Sequence, residues 1–449
     1  MEPTTGGKAL TRELRDNYLA TLTEESLSAL MRSTWTWDDR ALRRRLSELL
    51  TGLTAVRELR VGAVGCPASA LEAIESRVLA AAGEFVAEVL GLRLLADADN
   101  AYREALLPLV AATGELTAEA SRAVDTLAVD VTGRVIVRNE GSTSVLPEVE
   151  WDTKAFQHDA KALSEVAYAA GYTLTRRDYF PAAGLGAQAF AIASSPTDNS
   201  VDVRRSTLAA AEKTGSWDPA LVRTRATAAG DGWQLTGEKW YVPGAEAAEQ
   251  IFVIARTVGG PSLYLIERDA PGVTVEQSDS LDATRPLAHI RFENAPAVLI
   301  GREGAGGRTM NRTVDRATTV LAAEQMGIVD RALKCLSEVL PASTDAESWH
   351  AYTRQLAELE LARASATALW YRSVRLQGGD DLEASSVAAA MAHIGCSNAV
   401  RQVALHLPSI TADLDRATAD TIAVRARCTD LMFGGPALAH ERLLERLGI

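Results

Sequence analysis

Residues Arg225 to Thr257 read RATAAGDGWQLTGEKWYVPGAEAAEQIFVIART, and the chain's clearest structural signal lies in this stretch. Short apolar or alternating runs are cut by turn sequences: Gly230-Asp231-Gly232 and Thr236-Gly237-Glu238 here, then Gly259-Gly260-Pro261 and Ala270-Pro271-Gly272 beyond it. Glycine and proline at such intervals favour tight reversals over helix. The spacing predicts an antiparallel β domain from Leu208 to Leu299, with Ile251–Thr257 and Leu263–Glu267 as its clearest strands, joined by the Gly-Gly-Pro loop.

On either side the period changes. From Thr11 to Leu127 the chain is rich in Ala, Leu, Glu and Arg, all strong helix formers, with breaks at Gly65-Cys66-Pro67 and near Ala111-Gly114. Gly133 to Pro147 holds a short β-like run and a turn-rich loop, after which Trp151 to Ala170 reads as helix again. Beyond Gly306 apolar residues recur at three-to-four spacing, as in Val314, Leu321, Ile328, Leu333 and Leu336, with breaks at Pro341, Gly378-Gly379 and Pro408. The expectation is an α+β fold of three parts. These are a mainly helical domain over 1–203, a middle β domain over 204–305 and a four-helix-bundle-like domain over 306–449.

Composition narrows the function. Lys and Arg number 46 against 59 Asp and Glu, a formal charge of -13 that repels nucleic acid and anionic lipid. The four cysteines are scattered and the six histidines form no zinc-binding spacing, so no metal site is expected. No apolar run is long enough to span a bilayer, and the N-terminus has no apolar leader, which points to a cytoplasmic protein.

The stretch Arg225 to Gly301 resembles, along its length, the central β domain of acyl-CoA dehydrogenases. The matches are the Asp-Gly hairpin before an aromatic, the Gly-Glu-Lys turn, the strand ending Ala255-Arg256, Ala270-Pro271-Gly272-Val273, Thr284-Arg285 and the Phe292 to Ala297 segment closing in Gly301. The helix from Thr313 is similar to the first helix of that family's C-terminal bundle, and LMFGGPALAHERLL from Leu431 is similar to its Gly-Gly element beside the flavin. The resemblance implies FAD, an acyl thioester on coenzyme A or a carrier protein, and a homodimer or homotetramer built through the bundle, or a hetero-oligomer. The apolar run Val403, Leu405, Leu407 and Ile410 is the expected contact.

Carried over position by position, the flavin contacts fall on Ala210, Ala211, Ser216, Trp217, Tyr241, Val242, Pro243, Gly434 and Gly435, with Arg354 implied for the flavin of a neighbouring subunit. Several depart from the family pattern. Lys213 stands for the proline of the flavin loop, Trp217 for its serine, Pro243 for a threonine hydroxyl, and Arg354-Gln355 lacks the Phe-Gly that follows it elsewhere. The losses at Lys213, Pro243 and Arg354, at about 0.5 to 3 kcal/mol each, predict weak, substoichiometric FAD.

The family's base is a carboxylate, set either on a late loop, past the last residue Ile449 of this sequence, or on the first bundle helix, where this chain has Ala317. Glu324, seven residues on and nearly in line, is the candidate, with Glu441 next. An acid among Leu321, Ala322, Ala323 and Met326 would be buried, and desolvation would raise its pKa towards that of a useful base. The competing reading is a helix carboxylate paired with an arginine across the bundle. The leading functional expectation is therefore an acyl-CoA dehydrogenase-like flavoprotein acting on the α,β-bond of an acyl thioester. The alternatives are a flavin-poor enzyme of cyclisation or dehydration, or a non-catalytic partner subunit.

Overall fold

A computed structural model describes residues 10–62, 64–96, 101–138, 159–174, 179–194, 201–338, 346–410 and 416–449. The helical N-terminal part runs α1 Arg12–Thr21, α2 Glu24–Ser33, α3 Arg40–Arg60, α4 Ala68–Leu90, α5 Arg93–Ala96, α6 Ala101–Ala111, α7 Thr113–Arg138 and α8 Ala160–Thr173. Local chemistry starts several of them. Thr23 and Ser26 form a reciprocal capping box on α2, and the Asp39 carboxylate accepts from two backbone N–H groups of α3. A π-helical turn, Phe180–Gly186, leads into α9, Ala187–Ala193.

The middle layer holds β1 Ser206–Ala209, β2 Arg225–Ala229, β3 Gly232–Pro243, β4 Gln250–Thr257, β5 Gly260–Glu267, β6 Val273–Ser278 and β7 Leu287–Ile300. β2 to β3, β3 to β7, β7 to β5 and β5 to β4 pair antiparallel, and β4 meets β2 again through Arg225 and Arg256, so these five strands close on themselves. The expected antiparallel β domain is present, and to it are added parallel pairings of β4 with β1 and, at Arg225 and Arg256, with β2. Inward side chains Leu235, Ile251, Val253, Tyr264, Ile290 and Phe292 form a core of their own.

The C-terminal part is α10 Gly306–Glu338, α11 Ala346–Gln377, α12 Leu382–Ile410, α13 Arg416–Leu431 and α14 Gly435–Arg446. Its core is continuous with that of the N-terminal helices and with the apolar underside of β4 and β5. None of the helices among the described residues is long and apolar enough to cross a membrane.

Two helix readings are corrected. α7 continues to Arg138, so the β-branched run Val135-Ile136-Val137 is helical, and residues 139–158 lie outside the described residues. α12 runs through Pro408, which sits in its last turn, where a missing N–H disturbs little of the helix that remains. The Pro341 break lies outside the described residues. Val403 is fully buried in the chain's own core and offers nothing to a neighbouring subunit, whereas Leu405 is exposed.

Candidate functional site

The two helices α8 and α10 cross at a point where only glycine fits. A Cβ on Gly171 would lie 2.0 Å from the Glu324 carbonyl oxygen, and one on Gly327 would lie 2.1 Å from that of Tyr168. This close approach drives the Glu324 side chain into the junction of all three layers, where its exposure is 0%.

Three donors from three distant segments meet it there. Tyr179, beside the π-helical turn, donates its hydroxyl proton to Oε2, and Arg285, just before β7, donates to the same oxygen. Arg425 on α13 donates Nε–H to Oε1 at 2.8 Å. The arginines are themselves held: Arg425 also donates to the Thr284 hydroxyl oxygen and lies 3.6 Å from Asp282, and Arg285 lies over the Phe180 ring at 4.7 Å. Asp282 fixes the loop by accepting the Thr284 backbone N–H at 2.9 Å.

These neighbours reverse the expected electrostatics of Glu324. Burial pushes its carboxyl up, but the guanidinium groups of Arg285 and Arg425, with the Tyr179 and Arg285 hydrogen bonds, outweigh burial and hold it below the ordinary 4.5. The same burial, with the negative carboxylate alongside, drives the Tyr179 phenol well above 10.0. An ionised carboxylate engaged at both oxygens is a weak base. The geometry is that of the carboxylate paired across the bundle, and the raised pKa expected for catalysis is corrected. Glu441, the second candidate, lies on α14 among Arg40 and Arg43, lining a cleft of about 340 Å³ that includes neither Glu324 nor Trp217.

The positions implied for the chain's own flavin lie around one loop, one strand and one helix corner. Lys239, fully buried, donates to the Ala210 carbonyl oxygen at 2.8 Å, and the Trp240 N–H donates to that of Ala211 at 3.0 Å, which docks the loop 211–218 onto β3. The Tyr241 hydroxyl reaches the Lys213 carbonyl oxygen at 3.4 Å, Val242 is buried, and the Pro243 carbonyl oxygen accepts from the Thr207 hydroxyl at 2.7 Å. Ser216 is spent locally, its Oγ accepting the Asp218 N–H at 3.1 Å. Arg354, implied for the flavin of a neighbouring subunit, stands apart on α11, where it pairs with Asp125 and donates to the Ser121 hydroxyl at 3.0 Å, tying α11 to α7.

Trp217 closes the frame. Its ring, 9% exposed, meets Phe433 edge-on with centroids 4.9 Å apart, and Phe433 leans in turn on Phe180 at 6.2 Å and on His393 at 6.5 Å. The Gly434 Cβ position faces its own helix, 2.2 Å from Leu438 Cδ1, and that of Gly435 has Asp430 and Leu431 of the same corner as neighbours, so their glycines answer to local crowding and positive φ. Between the loop and the corner stand this chain's own rings, Trp217 against Phe433. As arranged, these residues do not fit a tricyclic isoalloxazine.

Sequence reasoning missed Tyr179 and Arg425. The only available signal was generic: a carboxylate on an apolar helix face needs a cation, without saying which.

Comparison with known proteins places this geometry. The model of the family described as acyl-CoA dehydrogenase, middle domain, matches residues 207–295. The short-chain specific acyl-CoA dehydrogenase, mitochondrial, of Bos taurus is 28% identical over 206 residues, 41% of this chain and 48% of its own length. The match thus spans about half of that enzyme. Butyryl-CoA dehydrogenase from Megasphaera elsdenii shares the fold with a TM-score of 0.58 at 18% identity, over 73% of this chain and 90% of its own. A chain of the ChsE4-ChsE5 complex from Mycobacterium tuberculosis does so with a TM-score of 0.55 at 19% identity, over 72% and 97%. Members of the acyl-CoA dehydrogenase family use FAD, and the findings agree on two points: residues 207–295 match that family's middle domain, and the chain has the acyl-CoA dehydrogenase fold.

Proposed function

We propose that this chain uses the acyl-CoA dehydrogenase fold without flavin chemistry, as the non-redox subunit of a cytoplasmic assembly that handles acyl thioesters of coenzyme A or a carrier protein. The observation that carries the reading is the Trp217–Phe433 contact, 4.9 Å between ring centroids, in the place the resemblance gives to the isoalloxazine. The state of Glu324 supports it. A general base works best with a pKa near the operating pH, and a carboxylate held below 4.5 by two guanidinium groups is far from that. The same argument weighs against cyclisation or dehydration led by Glu324. A partner role is in keeping with the ChsE4-ChsE5 complex, in which a chain of this fold stands beside a differently named one.

Visible absorption of the purified chain tests the reading directly. The expected result is a colourless protein that stays colourless after incubation with FAD and desalting, and that co-migrates in size exclusion with a flavin-bearing family member from the same cell. Stoichiometric yellow protein after extensive dialysis would overturn it.

A second reading keeps redox chemistry, with weakly held FAD, a homo-oligomer and oxidation of the α,β-bond of an acyl thioester. One observation favours it: the middle-domain match covers residues 207–295, including the strand that would wall the flavin. It requires the loop carrying Trp217 to move, and a visible band rising to one flavin per chain on titration would support it.

A further inference from the structure

The misfit at the flavin position narrows to one side chain. By the resemblance, position 217 belongs to a serine of the flavin loop, and this chain has Trp217. A hydroxymethyl group needs little room, whereas a tryptophan buries roughly 150–250 Å².

Both halves of the contact are built into the backbone. On one side, Ser216 Oγ accepts the Asp218 N–H at 3.1 Å and the Asp218 carboxylate accepts the Ala220 N–H at 2.8 Å, so Trp217 is pinned between two local turns. On the other, Phe433, Gly434 and Gly435 have positive φ of 57°, 93° and 72°, three successive residues at the corner that carries the buried Phe433 ring. A non-glycine residue persists in that conformation where its surroundings hold it there, and here the holder is the packing of Phe433 among Trp217, Phe180 and His393.

The other departures act by degrees. A missing neutral hydrogen bond weakens binding roughly 2- to 12-fold, so the losses at Pro243 and Lys213 would lower flavin affinity and leave it measurable. Overlap with a packed indole is different in kind, because a close-packed interior cannot hold both groups at once. We infer that Trp217 is the residue that excludes flavin from this chain, taking the space of the ring system and joining the loop to the Phe433 corner. The inference rests on the flavin-free reading above and adds the side chain that enforces it.

The test is titration with FAD of the wild type, Trp217→Ser and Trp217→Phe, read by quenching of flavin fluorescence and by melting temperature with and without FAD. Wild type and Trp217→Phe should bind nothing measurable, since a phenyl ring keeps the contact with Phe433. Trp217→Ser should gain at least tenfold in affinity and melt higher when FAD is present. Should Trp217→Ser lose its helical circular dichroism, Trp217→Leu, which keeps an apolar contact at smaller size, takes its place under the same expectation. A folded Ser or Leu variant that binds no better than a non-binding wild type overturns the role of Trp217 and leaves the flavin-free reading standing. Tight binding by the wild type overturns both.

Discussion

Arg425 Nε donates to Glu324 Oε1 across 2.8 Å, with side-chain exposures of 3% and 0%, and the pair joins helix α13 to helix α10. With Arg285 from the β layer and Tyr179 from the N-terminal part, the same carboxylate holds four segments of the chain at one point.

Glu324→Ala should therefore act on stability first. Removing the buried carboxylate takes away the hydrogen-bonded counter-charge of two buried guanidinium groups, which costs about 3 to 5 kcal/mol. Urea unfolding followed by circular dichroism should show that loss, and a double-mutant cycle with Arg425→Met should show strong coupling between the two sites. A Glu324→Ala protein as stable as the wild type would mean that the carboxylate is not the tie it looks to be.

Acid should unpick the same junction. The folded-state pKa of Glu324 lies below its ordinary 4.5, so its contribution to stability is fully present above 4.5 and is lost as the pH falls through the folded value. Wild type should lose stability steeply below about pH 4.5, and Glu324→Gln, already weaker at neutral pH, should lose less over that interval. Parallel stability curves for the two proteins in acid would assign the transition to other carboxylates.

Arg354 makes a contrasting prediction. It ties α11 to α7 through Asp125 and Ser121, with side-chain exposures of 35% and 46% in the ion pair. Half-exposed pairs contribute about 0 to 1 kcal/mol. Arg354→Ala should lower the melting temperature slightly and leave FAD titrations of any variant unchanged. A change in flavin affinity on that substitution would restore the cofactor role that the resemblance implied.

Much of the fold was readable because its signals are local. Asp231-Gly232 and the Gly-Gly-Pro loop mark hairpins by backbone chemistry, and the three-to-four spacing of Val314 to Leu336 marks a buried helix face. What failed is non-local. The parallel pairing of Ser206–Ala209 with β4 joins segments some forty residues apart that no turn announces. Val135 to Val137 favour strand by propensity, but they continue a helix whose earlier turns are packed on α4. At the site, Glu324 was legible as a buried acid. The direction of its pKa was not, because its donors lie 145, 39 and 101 residues away in sequence.

Gly434 and Gly435, singled out as close-approach positions beside a flavin, also have backbone reasons of their own to be glycine. Their φ values of 93° and 72° are left-handed, and the nearest side-chain and backbone atoms belong to the same corner. Gly434→Ala and Gly435→Ala should each cost about 1 to 2 kcal/mol through the backbone. A glycine reserved for close approach to a ligand would instead leave the melting temperature alone and show its effect in binding, so melting scans separate the two roles.

Lys239 offers a test at the alkaline end. Its side chain is fully buried on β3, where Nζ donates to the Ala210 carbonyl oxygen at 2.8 Å and to Glu212 at 3.1 Å, so it docks the loop that leads to Trp217. Burial outweighs the attraction of Glu212 and lowers its pKa to about 8 from the ordinary 10.5. The sign is opposite to that of a paired surface lysine. Between pH 8 and 10.5 the folded protein has released this proton while the unfolded chain still binds it, so in that interval Lys239 makes stability rise with pH. The slope from one proton is about 1.4 kcal/mol per pH unit. Lys239→Met removes the titrating group, while Glu212 keeps the backbone N–H groups of Arg223 and Thr224, each at 2.8 Å. Urea melts at intervals from pH 7.5 to pH 10.5 should therefore show the wild type gaining on Lys239→Met as the pH rises, with the gain tapering as the unfolded lysine begins to titrate. A stability difference that stays constant across that range would mean that Lys239 is charged throughout, and that the Glu212 pair outweighs burial.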